Sequence, residues 1–389
     1  MSTPEPPPPL VGNALVLRAL ELSERLGDDA QRELWIHLER ASPYDYARVL
    51  ETLDLARLCD GLASEGWDDE APAALLELFS EARVRDLPPR VRARLVQALR
   101  RGPTFAPVEE ALVSIFEETP EHELTALKVA IDAGYPTDLM TLIEGDVDDP
   151  GRSEALAARC RAAQGEGRLL LVDVDDTLFA SIHDDRYPDD RVYPGARALL
   201  QALREGQPAV VALLTARPAA LGPATVNTLS GLGIPVQLAL TGTIPGLRSN
   251  AAMAFNKRAA FLRYRALYPE LRALFCGDTG QGDAEVALTL LAEGALDAAL
   301  LHDVVGLEDD ARAALEAEGV IVFETWLGAA AALERAGWIS SGQLLRVARF
   351  ALAEVQELDL GPGPLRDAWA RDRAQVAARL EVGLPDVVR

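Results

Sequence analysis

Two carboxylates two residues apart close an apolar run in RLLLVDVDDTLF, Arg168 to Phe179. The run Leu169 to Val172 reads as a parallel strand buried on both faces. Asp173 and Asp175 follow at its carboxyl end, where open α/β sheets bind their ligands. Carboxylates this close repel each other unless a cation lies between them, and a hard cation such as Mg2+ prefers oxygen ligands. The bland alternative is a pair of acids capping a following helix. Further on, Pro208 to Leu214 predicts a second buried strand, ending at Thr215 in LTARP. A hydroxyl there can donate to a phosphoryl oxygen, as can the backbone N–H of Ala216. Lys257 in FNKRAAF opens a helical stretch and can neutralise charge on a nucleophile and on a transferring group; a solvated helix face is its alternative. Leu271 to Cys276 predicts a third strand running into GDTGQGD, where glycines 277, 280 and 282 let the backbone fold tightly and turn Asp278 and Asp283 inward.

The elements that must position these residues fall into two parts. Residues 10–150 read as helices throughout. Pro follows Ser42 and Thr119 at first turns, and apolar residues recur at helical spacing, as in Leu75, Leu76, Phe79 and in Leu112, Val113, Phe116. An all-α domain is expected there, behind a disordered Pro-rich tail at 1–9. Residues 151–166 read as a linker with a short helix, and 167–340 as an α/β domain. Residues 341–389 hold two more helices, Gly342 to Leu358 and Pro364 to Leu380, expected to pack on it. The polar loop SIHDDRYPDDRVYP is too short for a folded lid; Asp176 reads as a solvated turn acid and His183 as solvent-exposed, with a local acid or base as the alternative for His183. Arg248, Lys257, Arg258, Arg263, Arg265 and Arg272 follow closely enough to form a cationic rim.

Composition narrows the classes of function. The formal charge is −23, and residues 1–150 carry 30 of the 61 acids but only 14 of the 38 bases, so the acidity is concentrated in the helical part. Non-specific binding to a nucleic-acid backbone is excluded on these grounds. The seven arginines of Arg83 to Arg101 read as a solvated face paired with neighbouring acids, with phosphate headgroups or an acidic partner as the functional alternative. Three scattered cysteines, Cys59, Cys160 and Cys276, suit a reducing cytoplasm without disulfides. No apolar run approaches the ~20 residues of a membrane span, so any membrane contact is expected to be peripheral.

Asp-x-Asp-x-Thr after a buried strand, a strand-end Thr, a Lys and GDxxxxD together resemble the four-motif pattern of the haloacid dehalogenase (HAD) phosphohydrolase superfamily. DVDDT with GDTGQGDAE is similar to the catalytic domain of the actin-patch-protein type of phosphatidate phosphatase, a relative of the lipins. ALDAALLHDVVG and GVIVFETWLGAAAALERAGWI resemble that domain's last strand–helix units, so the likeness covers about Gly167 to Ile339. LTARP is closer to the lipin-type and nucleotide-handling versions of the second motif, and Leu178-Phe179 stands where the family commonly has Ile and a basic residue.

The resemblance implies a HAD-like Rossmannoid three-layer α/β/α domain with a minimal cap. It implies that Asp173 is the nucleophile, forming an aspartyl-phosphate, and Asp175 the acid and then the base. Thr215 and Lys257 would hold phosphoryl oxygens. Mg2+ would be held by Asp173, the main-chain carbonyl of Asp175, Asp278 and Asp283. The expected activity is a phosphatase for phosphatidate or another lipid phosphate. The alternatives are a phosphatase for protein or nucleotide phosphoesters, and a scaffold whose helical domain binds a protein.

Overall fold

The computed structural model describes residues 10–25, 27–102, 104–188, 191–242, 250–280, 282–358 and 360–387. The expected disordered tail at 1–9 and Arg248 lie outside them. The chain divides into two compact units, 1–165 and 166–389.

The first unit is helical: α1 (Gly12–Arg25), α2 (Asp28–Arg40), α3 (Pro43–Thr52), α4 (Leu55–Glu65), α5 (Glu70–Glu77), α6 (Pro89–Leu99), α7 (Ala106–Glu118), α8 (Glu121–Asp132), α9 (Leu139–Thr141) and α10 (Pro150–Arg161). Local chemistry sets the starts. Ser42 caps α3 by accepting from the backbone N–H of Asp45, with Pro43 in the first turn. At the centre α6 buries Val91, Ala93, Leu95, Val96, Ala98 and Leu99 against its neighbours α4 and α8. The segment expected as a linker carries its short helix, α10. That helix buries Leu156, Ala157 and Cys160 against α7 and α8 and so belongs to the first unit.

The second unit is α/β, with a six-stranded parallel sheet in the order β3-β2-β1-β4-β5-β6. Its strands are β1 (Arg168–Val172), β2 (Ala209–Pro218), β3 (Leu238–Gly242), β4 (Arg272–Asp278), β5 (Ala298–His302) and β6 (Val320–Phe323). Leu169, Leu170, Leu171 and Val172 point alternately to opposite faces, yet all are fully buried, so both faces are covered. Each such burial is worth about 1.5–3 kcal/mol, which fixes the register. The covering helices are α11 (Ala196–Arg204), α12 (Gly222–Gly231), α13 (Asn250–Arg265), α14 (Asp283–Ala292), α15 (Asp309–Ala317), α16 (Trp326–Arg335), α17 (Ser341–Gln356) and α18 (Pro364–Leu380). Right-handed crossovers put helices on both faces, and accordingly α13 packs beside α14 while α11 packs beside α16 and α17. β1 lies between β2 and β4, so the chain reverses its direction across the sheet there. The switch point, where open α/β sheets bind their ligands, therefore falls at the carboxyl ends of β1 and β4.

Candidate active site

Asp173 leaves β1 with its N–H bonded to the carbonyl of Cys276 on β4, at 2.9 Å. Asp278 is the last residue of β4, and Asp283 the first of α14. The three are buried, and each offers an oxygen within 4.8 Å of the others'. GDTGQGD folds tightly because its glycines must: a Cβ on Gly277 would lie 2.4 Å from Asp283 Oδ2. Lys257, about two turns into α13, reaches into the same place. Its Nζ donates to Asp173 Oδ1 at 2.7 Å and to Asp283 Oδ1 at 2.5 Å.

One ammonium thus bonds two of the three clustered carboxylates, and the titration of the group follows. Burial pushes Asp173 up to about 7, and the Asp283 charge adds to the effect against the pull of Lys257. Burial and the charges of Asp283 and Asp173 push Asp278 up to about 8. Burial acts to lower Lys257, but Asp173 and Asp283 outweigh it and hold the ammonium charged. Fully ionised, the cluster has a residual charge of −2. Asp283 Oδ2 is buried without a hydrogen-bond partner. Three oxygen donors, a residual charge of two and an orphaned carboxylate oxygen fit a divalent, oxygen-preferring cation held by Asp173, Asp278 and Asp283.

The remaining expected residues stand around this cluster in different ways. Thr215 is buried on β2, and the pairing of Val172 with Leu213 puts it at the same end of the sheet as Asp173. Between Thr215 and Pro218 the pairing with β3 shifts register, and Arg217 is re-aimed by this irregularity. Its Nη2 donates to Asp175 Oδ1 at 2.7 Å, a contact that LTARP hinted at only by carrying an arginine. The Asp175 side chain is thus partly exposed, paired with Arg217, and outside the three-carboxylate group.

Two sequence expectations are corrected here. Asp176 is not a solvated turn acid but is fully buried, with φ at +56°. It accepts from the backbone N–H groups of Ser181, Ile182 and His183 and from His183 Nδ1. Among the described residues the cationic rim does not form either. Lys257 is inside the cluster, Arg258 pairs with Glu293, and Arg265 donates to the carbonyl of Tyr268. Arg272 opens β4 at the opposite end of the sheet, its guanidinium 4.1 Å from the Trp338 ring centre. Helical spacing and strand direction fan these side chains apart.

His302, at the end of β5, was not foreseen in this role: its Nδ1 lies 3.0 Å from the Asp176 carbonyl, and burial lowers its pKa to about 4, keeping it neutral. Among the described residues, no helix is long and apolar enough to cross a membrane. Compared with protein-family models, with curated proteins and with solved structures, the chain gives no match.

Proposed function

We propose that the second unit is a HAD-type, Mg2+-dependent phosphomonoester hydrolase working through an aspartyl-phosphate, with phosphatidate or another lipid phosphate as the leading substrate class. The observation that carries this reading is the buried group of three carboxylates and one ammonium at the switch point of a parallel sheet, two residues from a second, partly exposed acid. A carboxylate oxygen of Asp173 attacks phosphorus and the ester P–O bond breaks. Asp175 gives the departing alkoxide its proton and then takes one from the water that opens the acyl phosphate. Lys257 and Thr215 hold phosphoryl oxygens, and Arg217 orients Asp175. A divalent cation at the carboxylates supplies neutralisation of the phosphoryl charge. The remaining work is positioning, which a rigid strand end provides.

The lipid assignment is favoured by three exposed apolar side chains in segments that follow the carboxyl ends of β1, β2 and β5: Ile182 (61% exposed), Leu221 (51%) and Val305 (49%). The net charge of −23 favours the second reading, a soluble protein or nucleotide phosphoester, because it repels an anionic surface. Phosphate release from dioleoyl phosphatidate in mixed micelles and from p-nitrophenyl phosphate, with and without Mg2+, separates them. Lipid turnover that needs the metal, and that Asp173→Asn lowers about a thousandfold or more, is the expected result. Turnover of the soluble ester alone selects the second reading. Silence on both, with partner capture indifferent to Asp173→Asn, selects a scaffold.

A further inference from the structure

We propose that Asp176 and His183 form a substrate-positioning pair, in which the imidazole accepts a hydrogen bond from a hydroxyl on the leaving alcohol of the phosphomonoester. This rests on the phosphatase reading and narrows its substrate class, among lipid phosphates, away from diacyl phosphatidate, whose leaving alcohol has no free hydroxyl, to those whose leaving alcohol keeps one. The supporting geometry begins at Asp176, whose left-handed backbone turns its carboxylate under the 181–183 segment. Three backbone N–H groups, of Ser181, Ile182 and His183, donate to its two oxygens, an arrangement that suits a carboxylate. A carboxylate only accepts, so the His183 nitrogen 2.9 Å away, Nδ1, carries a proton. In the neutral ring Nε2 is then the acceptor, and among the described residues it has no partner.

The pair stands where a leaving group would pass. Ser181 Oγ, in the same turn, is 3.4 Å from Asp175 Oδ1, the carboxylate given the proton transfer. On its other side the His183 ring lies against Gly280. A Cβ there would be 2.8 Å from His183 Nδ1 and 3.2 Å from Asp278 Oδ1, so imidazole and cluster flank a single point. The Gly280 N–H itself donates to Asp278 Oδ1 at 2.6 Å.

Nor is the loop a loose connection. Asp184 is buried and accepts from Arg186 and from the Tyr193 hydroxyl, Arg186 also donates to the Asp303 carbonyl, and Trp369 on α18 donates to the Tyr187 hydroxyl at 2.8 Å. A third of the His183 side chain is open to solvent at this anchored position. An acceptor fixed beside the carboxylate cluster discriminates between alcohols by whether they bring a donor.

The test compares glycerol 3-phosphate with n-propyl phosphate, and 1-oleoyl glycerol 3-phosphate with its 2-deoxy analogue, in wild type, His183→Ala and His183→Gln. Binding to Mg2+-loaded Asp173→Asn protein, with and without the His183 changes, is measured beside turnover. We expect the hydroxyl-bearing member of each pair to be favoured about tenfold in kcat/KM, and in affinity for the Asp173→Asn protein, by wild-type His183. His183→Ala should erase the preference by raising KM for that member alone, and His183→Gln, which keeps an acceptor, should restore part of it. Imidazole 15N spectra should show His183 protonated on Nδ1. Equal losses on both members, no preference in wild type, or a proton on Nε2 alone would overturn the pair while leaving the phosphatase reading intact. Neither binding nor turnover of any phosphomonoester would remove both together.

Discussion

The two units treat charge in opposite ways. In the helical unit each of the seven arginines from Arg83 to Arg101 has a partner. Arg83 meets Asp86, Arg85 meets Glu118, Arg90 meets Glu51, Arg92 meets Glu123, Arg100 meets Asp146 and Arg101 meets Asp60. Arg94 donates to the carbonyls at the end of α3, including Leu53 at 2.7 Å. The functional alternative for this stretch, a free basic face, therefore loses its basis. In the sheet unit three buried carboxylates cluster around one lysine, which bonds two of them. Matched charge is architecture, whereas surplus buried charge costs stability and persists where a ligand balances it.

The difference predicts opposite signs for removing a charge. Arg92 is buried, with its Nε 2.9 Å from the Val84 carbonyl and its Nη1 2.6 Å from Glu123. Arg92→Met strands both acceptors and is expected to cost about 3 kcal/mol, read as a lowered denaturant midpoint. Asp173→Asn removes one of the surplus carboxylates, and in EDTA it is expected not to lower the midpoint of the second unit. A loss equal to that of Arg92→Met would break the comparison.

Adding the balancing ligand is expected to have nearly as large an effect. Mg2+ at a hundred times its Kd stabilises the unit that binds it by about 2.7 kcal/mol. The pH dependence has a definite sign. Asp173 and Asp278 titrate near 7 and 8, above the ordinary 3.8, so the metal-free folded state holds protons that the unfolded state has lost. Its stability therefore falls as pH rises from about 4 to 8. The cation needs the ionised carboxylates, so the stabilisation by Mg2+ grows from pH 6 to pH 8.5. Thermal unfolding with Mg2+ and with EDTA across that range checks it, and a constant or shrinking difference would count against a carboxylate cation site.

Much of this arrangement was legible in the sequence because it is local. Four buried apolar residues ahead of an acid predict β1, GDTGQGD predicts the β4–α14 turn, and Pro364 after GPG predicts the start of α18. The strand-end rule then puts Asp173 and Asp278 at one place. What escaped depends on backbone geometry that no periodicity reports. Asp176 is buried by its own left-handed backbone and by three N–H groups five to seven residues on, and Arg217 reaches Asp175 only through an irregular strand end. The cationic rim failed for the complementary reason: nearness in sequence says nothing of direction once a helix and a strand intervene.

The smallest expected effect is the sharpest check on the helical unit. Arg85 and Glu118 pair at 2.8 Å with 69% and 38% of their side chains exposed. Solvent screens such a pair, and holding two long side chains together costs entropy, so Arg85→Ala is expected to cost under about 1 kcal/mol. Raising the salt concentration should shrink even that difference. Arg92, in the same basic stretch and with a similar acid as partner, differs from Arg85 in its burial and in the backbone carbonyl that its buried guanidinium also holds. If the two variants lost equal stability, desolvation would not be what separates them, and the contrast drawn between matched and surplus buried charge would lose its physical basis.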